Sequence, residues 1–225
     1  MSGSQFLFSA RHLKSRVLHT YADYRIGATP LEKRCYKNSD SILLTFDDYG
    51  SKKEVEDILS ILRTKNVKGV FFLQGDWVEK QPSLVEAITK EGHVVGNHTY
   101  SHAVLRDLPK EEVISEIQRG LPGPWLRPPQ GRYNNRIRVI AAKLGYSICY
   151  WTIDSRDWTG MSAPEMRNMI LKELHPGATI LFHLHGTHTR ELLPDLIDDI
   201  RESGFALTDH DETWEPPKRS QATPS

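Results

Sequence analysis

The sequence predicts an α/β fold, a distorted (β/α) barrel of about seven parallel strands surrounded by helices. Short apolar runs rich in β-forming residues alternate about seven times with segments whose apolar residues recur at helical spacing. Strands that alternate with helices pair in parallel, because each helix carries the chain back to the start of the next strand. A length of 225 residues is ordinary for one domain of this class.

The predicted elements follow one another in order. The first strand, residues 41–46, is an apolar run that stops at two carboxylates, and the helix after it, residues 52–65, carries apolar residues along one face. The remaining strands are predicted at residues 69–73, 93–96, 125–127, 148–153, 178–182 and 205–208. The remaining helices are predicted at residues 82–90, 110–119, 134–144, 163–174 and 191–203.

The two ends of the chain lack this alternation. Residues 1–40 are basic, aromatic and aperiodic, so we expect an N-terminal arm that packs on the domain. Residues 41–213 form the single predicted domain. Residues 214–225 are rich in proline and polar side chains, and we expect them to form a flexible tail.

Charge and cysteine content exclude several classes of protein. The 29 basic and 29 acidic residues cancel, so no bulk charge favours nucleic acid or an anionic membrane surface as partner. No run is long enough to span a membrane, and the first residues lack a signal peptide, so we expect either a cytoplasmic protein or a secreted or cell-surface protein whose signal was removed. Cys35 and Cys149 are too few for a disulfide scaffold; one disulfide between them is an alternative to the favoured interpretation of two buried, inert thiols.

A pair of carboxylates ends the first predicted strand. Asp47 and Asp48 repel each other, and a cation at the mouth of the strand would lower the cost of keeping both charged. The structural alternative is that one of them caps the helix that begins near Ser51, a role that Ser51 could fill instead.

Two histidines follow another predicted strand. His98 and His102 are four residues apart, so a helical turn would place both imidazoles on one face. Since the strand ends of a parallel sheet meet at one edge, we expect them opposite the acid pair. Two histidines and one carboxylate bind a divalent metal and leave positions open, which is typical of catalytic sites. The second carboxylate is then free to act as a base toward water.

Five segments at the predicted strand ends resemble, in order and position, the five motifs of the polysaccharide deacetylases. This family is the NodB homology domain, the fourth carbohydrate esterase family. The resemblance covers roughly residues 41–208, and five motifs in the right order are highly specific. The segments are residues 45–48 (TFDD), 98–102 (HTYSH), 127–131 (RPPQG), 154–158 (DSRDW) and 181–183 (LFH).

The resemblance implies that residues 41–213 are a catalytic domain with a metal site and a general base. Asp47 would be the base, and Arg127 would pair with it and orient it. The resemblance also implies that Asp48, His98 and His102 hold a divalent metal, usually Zn²⁺, with Co²⁺, Mn²⁺ or Ni²⁺ as alternatives.

The other implied roles concern the leaving group and the substrate. His183 would be the general acid that protonates the departing amine, and Asp157 would keep its imidazole oriented and protonated. Trp158 and Leu181 would wall the pocket for the acetyl methyl. The backbone N–H of Gln130 would be the oxyanion donor.

The chain departs from the family pattern near the sugar site. Gln130 stands where the family has tyrosine or another aromatic residue, which affects the aromatic surface beside the sugar. Tyr49 stands between the acid pair and Gly50, where the family usually has glycine, so we expect a bulky phenol at the rim that contributes to substrate binding. For His185 and His188 we favour solvated loop histidines over a substrate-binding role.

The resemblance implies a hydrolase that removes N-acetyl groups from amino-sugar units of a chitin-like or peptidoglycan polymer or oligomer. Such a glycan would be the partner, with no nucleic acid. Three alternatives stay open: an O-deacetylase of xylan, an amidohydrolase of small amides on the same fold, and a catalytically silent carbohydrate-binding module.

Overall fold

A computed structural model describes residues 31–32 and 40–208 of the protein. Most of the predicted N-terminal arm, including Cys35, and the whole predicted tail lie outside the described residues. Among residues 40–208, no helix combines the length and the apolar character that crossing a bilayer requires.

In the described part of the chain, eight strands form one sheet in which every pairing is parallel, and the sheet curls into a half-barrel. The predicted fold class is therefore confirmed. The strands are β1 Leu31–Glu32, β2 Leu43–Asp48, β3 Gly69–Leu73, β4 Val94–Asn97, β5 Trp125–Leu126, β6 Ser147–Cys149, β7 Ile153–Asp154 and β8 Thr179–His183. Their order in the sheet is β1-β6-β5-β4-β3-β2-β8-β7.

Within residues 40–208, seven α-helices connect the strands, most of them within two residues of the predicted bounds. They are α1 Lys52–Thr64, α2 Gly75–Lys80, α3 Pro82–Lys90, α4 Lys110–Arg119, α5 Asn135–Lys143, α6 Ala163–Glu173 and α7 Thr189–Glu202. Ser51 caps α1 through a reciprocal pair of hydrogen bonds with Glu54. Since Ser51 fills this position, neither aspartate of the acid pair is used as a helix cap.

The core lies on both faces of β2, whose six residues are all buried. Phe46 stacks between Phe71 and Phe182, with ring centroids 4.9 and 5.8 Å away. Helix α1 covers this layer with Val55, Ile58, Leu59 and Leu62, the apolar face that its sequence spacing predicts. Each such side chain contributes about 1.5–3 kcal/mol when it is fully buried. The packing fixes β2 as the platform from which the acid pair projects.

Four features of the fold differ from the prediction. The strand predicted at residues 148–153 is two strands, because β6 pairs with β1 and β5 whereas β7 pairs with β8 on the far side of the sheet. The strand predicted at residues 205–208 is only an isolated bridge between Leu207 and Ile42. Helix α2 was not predicted, since six residues are too few to show a helical period. Residues 31–32 of the predicted arm join the sheet as its edge strand.

The interpretation of the cysteines as inert thiols is wrong for Cys149. This residue is fully buried and disulfide-bonded, and no cysteine among the described residues is free. Cys35 is the other cysteine of the chain and lies outside the described residues.

Candidate active site

The carboxyl ends of several parallel strands open on one cavity of about 360 Å³. In a parallel α/β sheet this edge is where the loops after the strands build the site. Eight of the eleven residues predicted for the site line the cavity. The lining residues are Asp47, Asp48, His98, His102, Gln130, Gly131, Arg132, Trp151, Asp154, Trp158, Leu181 and His183.

Both carboxylates of the acid pair reach this cavity because the strand ends irregularly. In a regular strand, neighbouring side chains point to opposite faces. Asp48 has a φ of 75°, in the left-handed region, which breaks that alternation. A non-glycine residue in this conformation costs of the order of 1–3 kcal/mol, and such strain is typical of functional sites. The strain at Asp48 thus accompanies the placement of two acids side by side.

Asp48, His98 and His102 bring three ligand atoms together. Asp48 Oδ1 lies 3.2 Å from His98 Nε2 and 3.2 Å from His102 Nε2. All three ligand atoms lie within 4.8 Å of one another, and among the described residues this is the one group of its kind. Two imidazole nitrogens and one carboxylate oxygen form a donor set that suits zinc and leaves coordination positions open.

The orientation and charge of these residues also suit a metal. His98 Nδ1 donates a hydrogen bond to the Arg127 carbonyl oxygen (2.8 Å), which turns Nε2 toward Asp48. Burial, together with the nearby charge of His98, lowers the pKa of His102, which favours its neutral form. Burial raises the pKa of Asp48, but the hydrogen bond with His98 and the charges of His98, His102 and His183 outweigh it, so the pKa lies well below its usual range. The residues therefore fit a divalent cation.

The segment with His98 and His102 is an irregular loop and not the helical turn that would have placed both imidazoles on one face. Thr99 and His102 have φ values of 64° and 61°, in the left-handed region. The Asn97 side chain accepts the Thr99 N–H at 2.7 Å, which turns the chain directly after His98. This loop brings both imidazoles to Asp48 without any helical periodicity.

Helices on either side hold the same loop in place. The Gly75 and Asp76 N–H groups, at the start of α2, donate to the carbonyl oxygens of Thr99 and Tyr100 at 2.9 and 3.0 Å. The Glu116 carboxylate of α4 accepts the N–H groups of Tyr100 and Ser101. Helix α2 therefore helps to hold the loop that carries His98 and His102, although it is too short to be predicted from a helical period.

Arg127 lies directly behind Asp47 and is fully buried, with 0% exposure. Its Nη1 donates to Asp47 Oδ1 at 2.6 Å and to Thr45 Oγ1 at 2.8 Å, and its Nε donates to the Cys149 carbonyl oxygen at 3.3 Å. The second oxygen of Asp47, Oδ2, lies 3.8 Å from His98 Nε2. One carboxylate oxygen is thus held by the guanidinium, and the other faces the metal ligands.

His183, at the end of the neighbouring strand β8, forms a second ion pair with Asp157, which lies in the turn after β7. Asp157 Oδ1 accepts from His183 Nδ1 at 2.7 Å, and Oδ2 accepts both the His183 N–H at 2.7 Å and the Thr189 hydroxyl at 2.5 Å. Burial lowers the pKa of His183, but the hydrogen bond and charge of Asp157, followed by the charges of Asp47 and Asp48, raise it to about 9. The imidazole is therefore a cation at neutral pH. Because Nδ1 is bound by Asp157, Nε2 is the ring nitrogen available to a group in the cavity.

Three of the four predicted substrate-binding residues line the cavity. Trp158 is 63% exposed and Leu181 is buried, and Gln130 adopts a φ of 56° in the short 3₁₀ turn Pro129–Gly131. Tyr49 does not line the cavity; its ring stacks on His185 at the rim instead. His185 is exposed, as expected of a solvated loop histidine, and it also stacks on Tyr49. The half-buried His188 pairs with Glu191 at 2.9 Å.

Several residues of the site were not predicted. Gln74 donates to Asp48 Oδ1 at 3.2 Å, and its place directly after a predicted strand was a usable signal. Thr189 has no such signal, because its contact with Asp157 spans 32 residues. Thr45 lies inside the first motif, but its hydrogen bond to Arg127 spans 82 residues. Trp151 and Asp154 also line the cavity.

Several known proteins are similar to this chain in sequence and in fold. The sequence profile of the polysaccharide deacetylases matches residues 36–149. A peptidoglycan-N-acetylglucosamine deacetylase from Bacillus cereus is 36% identical over 179 residues, which cover 72% of this chain and 65% of that protein. The chain thus spans a little under two thirds of the length of this curated relative.

Two solved structures extend the comparison to the fold. A crystal structure of a peptidoglycan N-acetylglucosamine deacetylase in complex with a naphthyl N-hydroxybenzamide has a TM-score of 0.77 and 29% identity, and the match covers 85% of this chain and 95% of that one. A family 4 carbohydrate esterase pseudoenzyme from Bacillus anthracis has a TM-score of 0.76 and 26% identity, with 82% and 69% of the two chains covered. On its sequence match and its fold, the chain belongs to the polysaccharide deacetylase family.

Proposed function

We propose that this protein is a metal-dependent hydrolase that removes N-acetyl groups from amino-sugar units of a glycan polymer or oligomer. One observation carries the proposal: two ion pairs of opposite polarity flank the group of Asp48, His98 and His102 in a single cavity. Two of the similar proteins described above are named as deacetylases of peptidoglycan N-acetylglucosamine, which supports an acetylated amino sugar as the substrate class.

Asp48, His98 and His102 would hold the cation, for which zinc fits the donor set best and Co²⁺, Mn²⁺ or Ni²⁺ are alternatives. A divalent ion bound there supplies Lewis acidity, which polarises a carbonyl group and makes water more acidic. Gln74 and the Arg127 carbonyl would orient two of the three ligands through their hydrogen bonds.

Asp47 is the proposed general base. Arg127 occupies its Oδ1, so Oδ2, the oxygen near His98, is the atom that would accept a proton from the attacking water. The water oxygen forms a bond to the acetyl carbon as this proton leaves. Because Arg127 is buried and held by Thr45 and a backbone carbonyl, Asp47 keeps one orientation throughout.

His183 is the proposed general acid. Its Nδ1 is bound by Asp157, so the proton on Nε2 is the one that would pass to the sugar nitrogen as the carbon–nitrogen bond breaks. The products are acetate and a free amine. The Gln130 N–H would stabilise the negative charge on the acetyl oxygen, and Trp158 and Leu181 would enclose the acetyl methyl.

Acetate release across a substrate panel tests this proposal. The panel contains N-acetylglucosamine oligomers, peptidoglycan fragments, acetylated xylan and small cyclic amides, each assayed with metal, with chelator and with the Asp47→Asn variant. We expect release from the N-acetylated sugars that chelator abolishes and added zinc restores. Preferential release from acetylated xylan would indicate an O-deacetylase, and turnover of the small amides alone would indicate an amidohydrolase.

A catalytically silent carbohydrate-binding protein is a second candidate, because a pseudoenzyme is among the similar structures. A mutant of that pseudoenzyme is described as having restored enzymatic activity. In the present chain the ligand group and both ion pairs are complete. Glycan binding by the metal-loaded protein without any acetate release would favour this candidate over the hydrolase.

A further inference from the structure

Two exposed aromatic side chains lie at or next to the cavity, in a region that we call its mouth. Within residues 40–208, Tyr49 and Trp158 are the two large hydrophobic side chains with high exposure, 47% and 63%. Trp158 lines the cavity, whereas Tyr49 directly follows the metal-ligand candidate Asp48 and lies outside the lining. Single exposed apolar residues are common on any surface, but two at the mouth of one site indicate a binding function.

Tyr49 forms a fixed stack with His185. The two rings lie nearly parallel, with centroids 4.9 Å apart and planes inclined by 16°. His185 Nδ1 donates to the Tyr49 carbonyl oxygen at 3.3 Å, which sets the orientation of the imidazole. One face of the phenol ring is covered in this way, and close to half of its side chain remains open to solvent.

The backbone that carries Tyr49 is also held on both sides. The Leu184 N–H donates to the Asp47 carbonyl oxygen at 3.1 Å, and the Trp77 indole N–H donates to the Gly50 carbonyl oxygen at 3.1 Å. A Cβ added at Gly50 would lie only 3.1 Å from Leu184 Cβ, so the chain packs closely here. A ring that is already fixed loses little conformational entropy when a ligand stacks on it.

The stack lies beside the proposed acid. The ring centroid of His185 is 5.8 Å from that of His183. Tyr49 and His185 are both outside the lining of the cavity, so a sugar ring in contact with them would be a different unit from the one whose acetyl group enters between Asp47 and His183. The pair is therefore placed to contact a neighbouring unit and not the unit that reacts.

We propose that Tyr49 and His185 form a subsite that stacks against the pyranose ring adjacent to the one being deacetylated. One face of a pyranose carries C–H groups, which complement the negative face of an aromatic ring. This inference rests on the proposed function for the position of the reacting sugar. It assigns the protein a preference for oligomers over the monosaccharide, because a single sugar cannot occupy both positions.

Substitution of Tyr49 tests the subsite through substrate length. For Tyr49→Ala we expect kcat/KM on an N-acetylglucosamine tetramer, divided by that on the monomer, to fall about tenfold through KM. Tyr49→Phe keeps the ring and should keep the ratio. An unchanged ratio in Tyr49→Ala would overturn the proposal, and a fall in Tyr49→Phe would also overturn it, since the phenol hydroxyl would then be the contact.

His185 has a matched control in the same loop. We expect His185→Ala to lower the same ratio, because the phenol ring loses its support. His188→Ala should leave the ratio unchanged, because His188 pairs with Glu191 and not with an aromatic ring. Equal effects of the two histidine substitutions would contradict the assignment.

A binding measurement separates this inference from the proposed reaction. Calorimetric titration of the tetramer into the Asp47→Asn protein, with and without Tyr49→Ala, needs no turnover. If no substrate releases acetate but Tyr49→Ala weakens tetramer binding, the proposed reaction fails and the subsite stands. If acetate is released and Tyr49→Ala binds the tetramer as tightly as its parent, the subsite fails and the reaction stands.

Discussion

Each of the two ion pairs of the cavity joins one positive and one negative group, but the charge that faces the cavity is negative in one pair and positive in the other. On one side the carboxylate of Asp47 faces the cavity and the cation of Arg127 is buried behind it. On the other side the imidazole of His183 faces the cavity and the carboxylate of Asp157 is buried behind it. Strands β2 and β8 pair in parallel with Asp47 opposite His183, so the two units are neighbours in the sheet.

In the proposed mechanism, the buried partner determines which way a proton would move. Arginine does not lose its proton in proteins, so Arg127 can only balance a negative charge, and Asp47 would accept a proton. Asp157 is buried and raises the pKa of His183, which would donate one. Under that proposal, one sheet edge provides base and acid because the buried charge differs between the two pairs.

The largest expected effect is the loss of the base. Asp47→Asn keeps an oxygen for Arg127 but removes the proton acceptor, so we expect kcat for acetate release to fall by about 10²–10⁴. The metal content and melting temperature of the variant serve as controls, since neither depends on proton transfer. A kcat within a few-fold of the parent would show that Asp47 is not the base.

Removal of the buried guanidinium of Arg127 tests the same ion pair through protein stability. Arg127→Met leaves Asp47 without its partner, and we expect the free energy of unfolding to fall by about 3–5 kcal/mol in urea denaturation. Adding Asp47→Asn removes the unpaired charge and should recover part of that loss. If the double variant is no more stable than Arg127→Met, the charge of Asp47 is not what Arg127 balances.

The ion pair of His183 and Asp157 should determine how the activity changes with pH. A raised pKa of about 9 keeps His183 protonated below that value, so kcat/KM should be high below pH 9 and lost as the pH rises through it. In Asp157→Asn the main cause of the raised pKa is gone. The alkaline limb should therefore move toward the ordinary histidine value of about 6.5, which would leave about a quarter of His183 protonated at pH 7 and lower kcat/KM there by about fourfold.

The pH profile has an internal control, because the two ion pairs should behave differently. Arg127→Lys keeps the buried charge behind Asp47 and leaves Asp157 intact, so its alkaline limb should stay near that of the parent. An Asp157→Asn profile with an unshifted alkaline limb would mean that His183 is not the group that limits the rate at high pH.

The local features of the fold were predictable from the sequence. Because one face of α1 is buried, its apolar residues recur with the helical period, which predicts the helix. The apolar runs of β2, β3 and β8 predict buried parallel strands. What local pattern cannot show is which strand lies beside which. The segment after Tyr146 illustrates this, because one continuous apolar run is divided between opposite edges of the sheet as β6 and β7.

The candidate site divides in the same way. The acid pair, His98 and His102 were found from residue type and from their place at strand ends, which are visible in a sequence. The choice of Asp48 over Asp47 as the metal ligand rested on the family resemblance, because adjacency alone cannot distinguish the two. The supporting contacts depend on distant residues, such as the hydrogen bonds of Arg127 to Thr45 and of Thr189 to Asp157. Tyr49 was expected at the rim, but its stack on His185 joins two loops that are 136 residues apart.

The smallest expected effect comes from substitution of Thr189, and the direction of its pH shift tests how Asp157 acts on His183. The Thr189 hydroxyl shares Asp157 Oδ2 with the His183 N–H, so Thr189→Val removes one donor from a buried carboxylate. A hydrogen bond to a charged group contributes about 1.5–3 kcal/mol, and we expect urea denaturation to show a loss of that size.

The pH profile of Thr189→Val should shift in the direction opposite to that of Asp157→Asn. With one donor fewer, the negative charge of Asp157 is less dispersed and attracts the His183 proton more strongly, so the alkaline limb should move to slightly higher pH. Thr189→Ser keeps the hydroxyl and should match the parent. A limb that moved to lower pH in Thr189→Val would mean that the hydroxyl acts by orienting Asp157, and the buried carboxylate would then be a positioning group more than a source of charge.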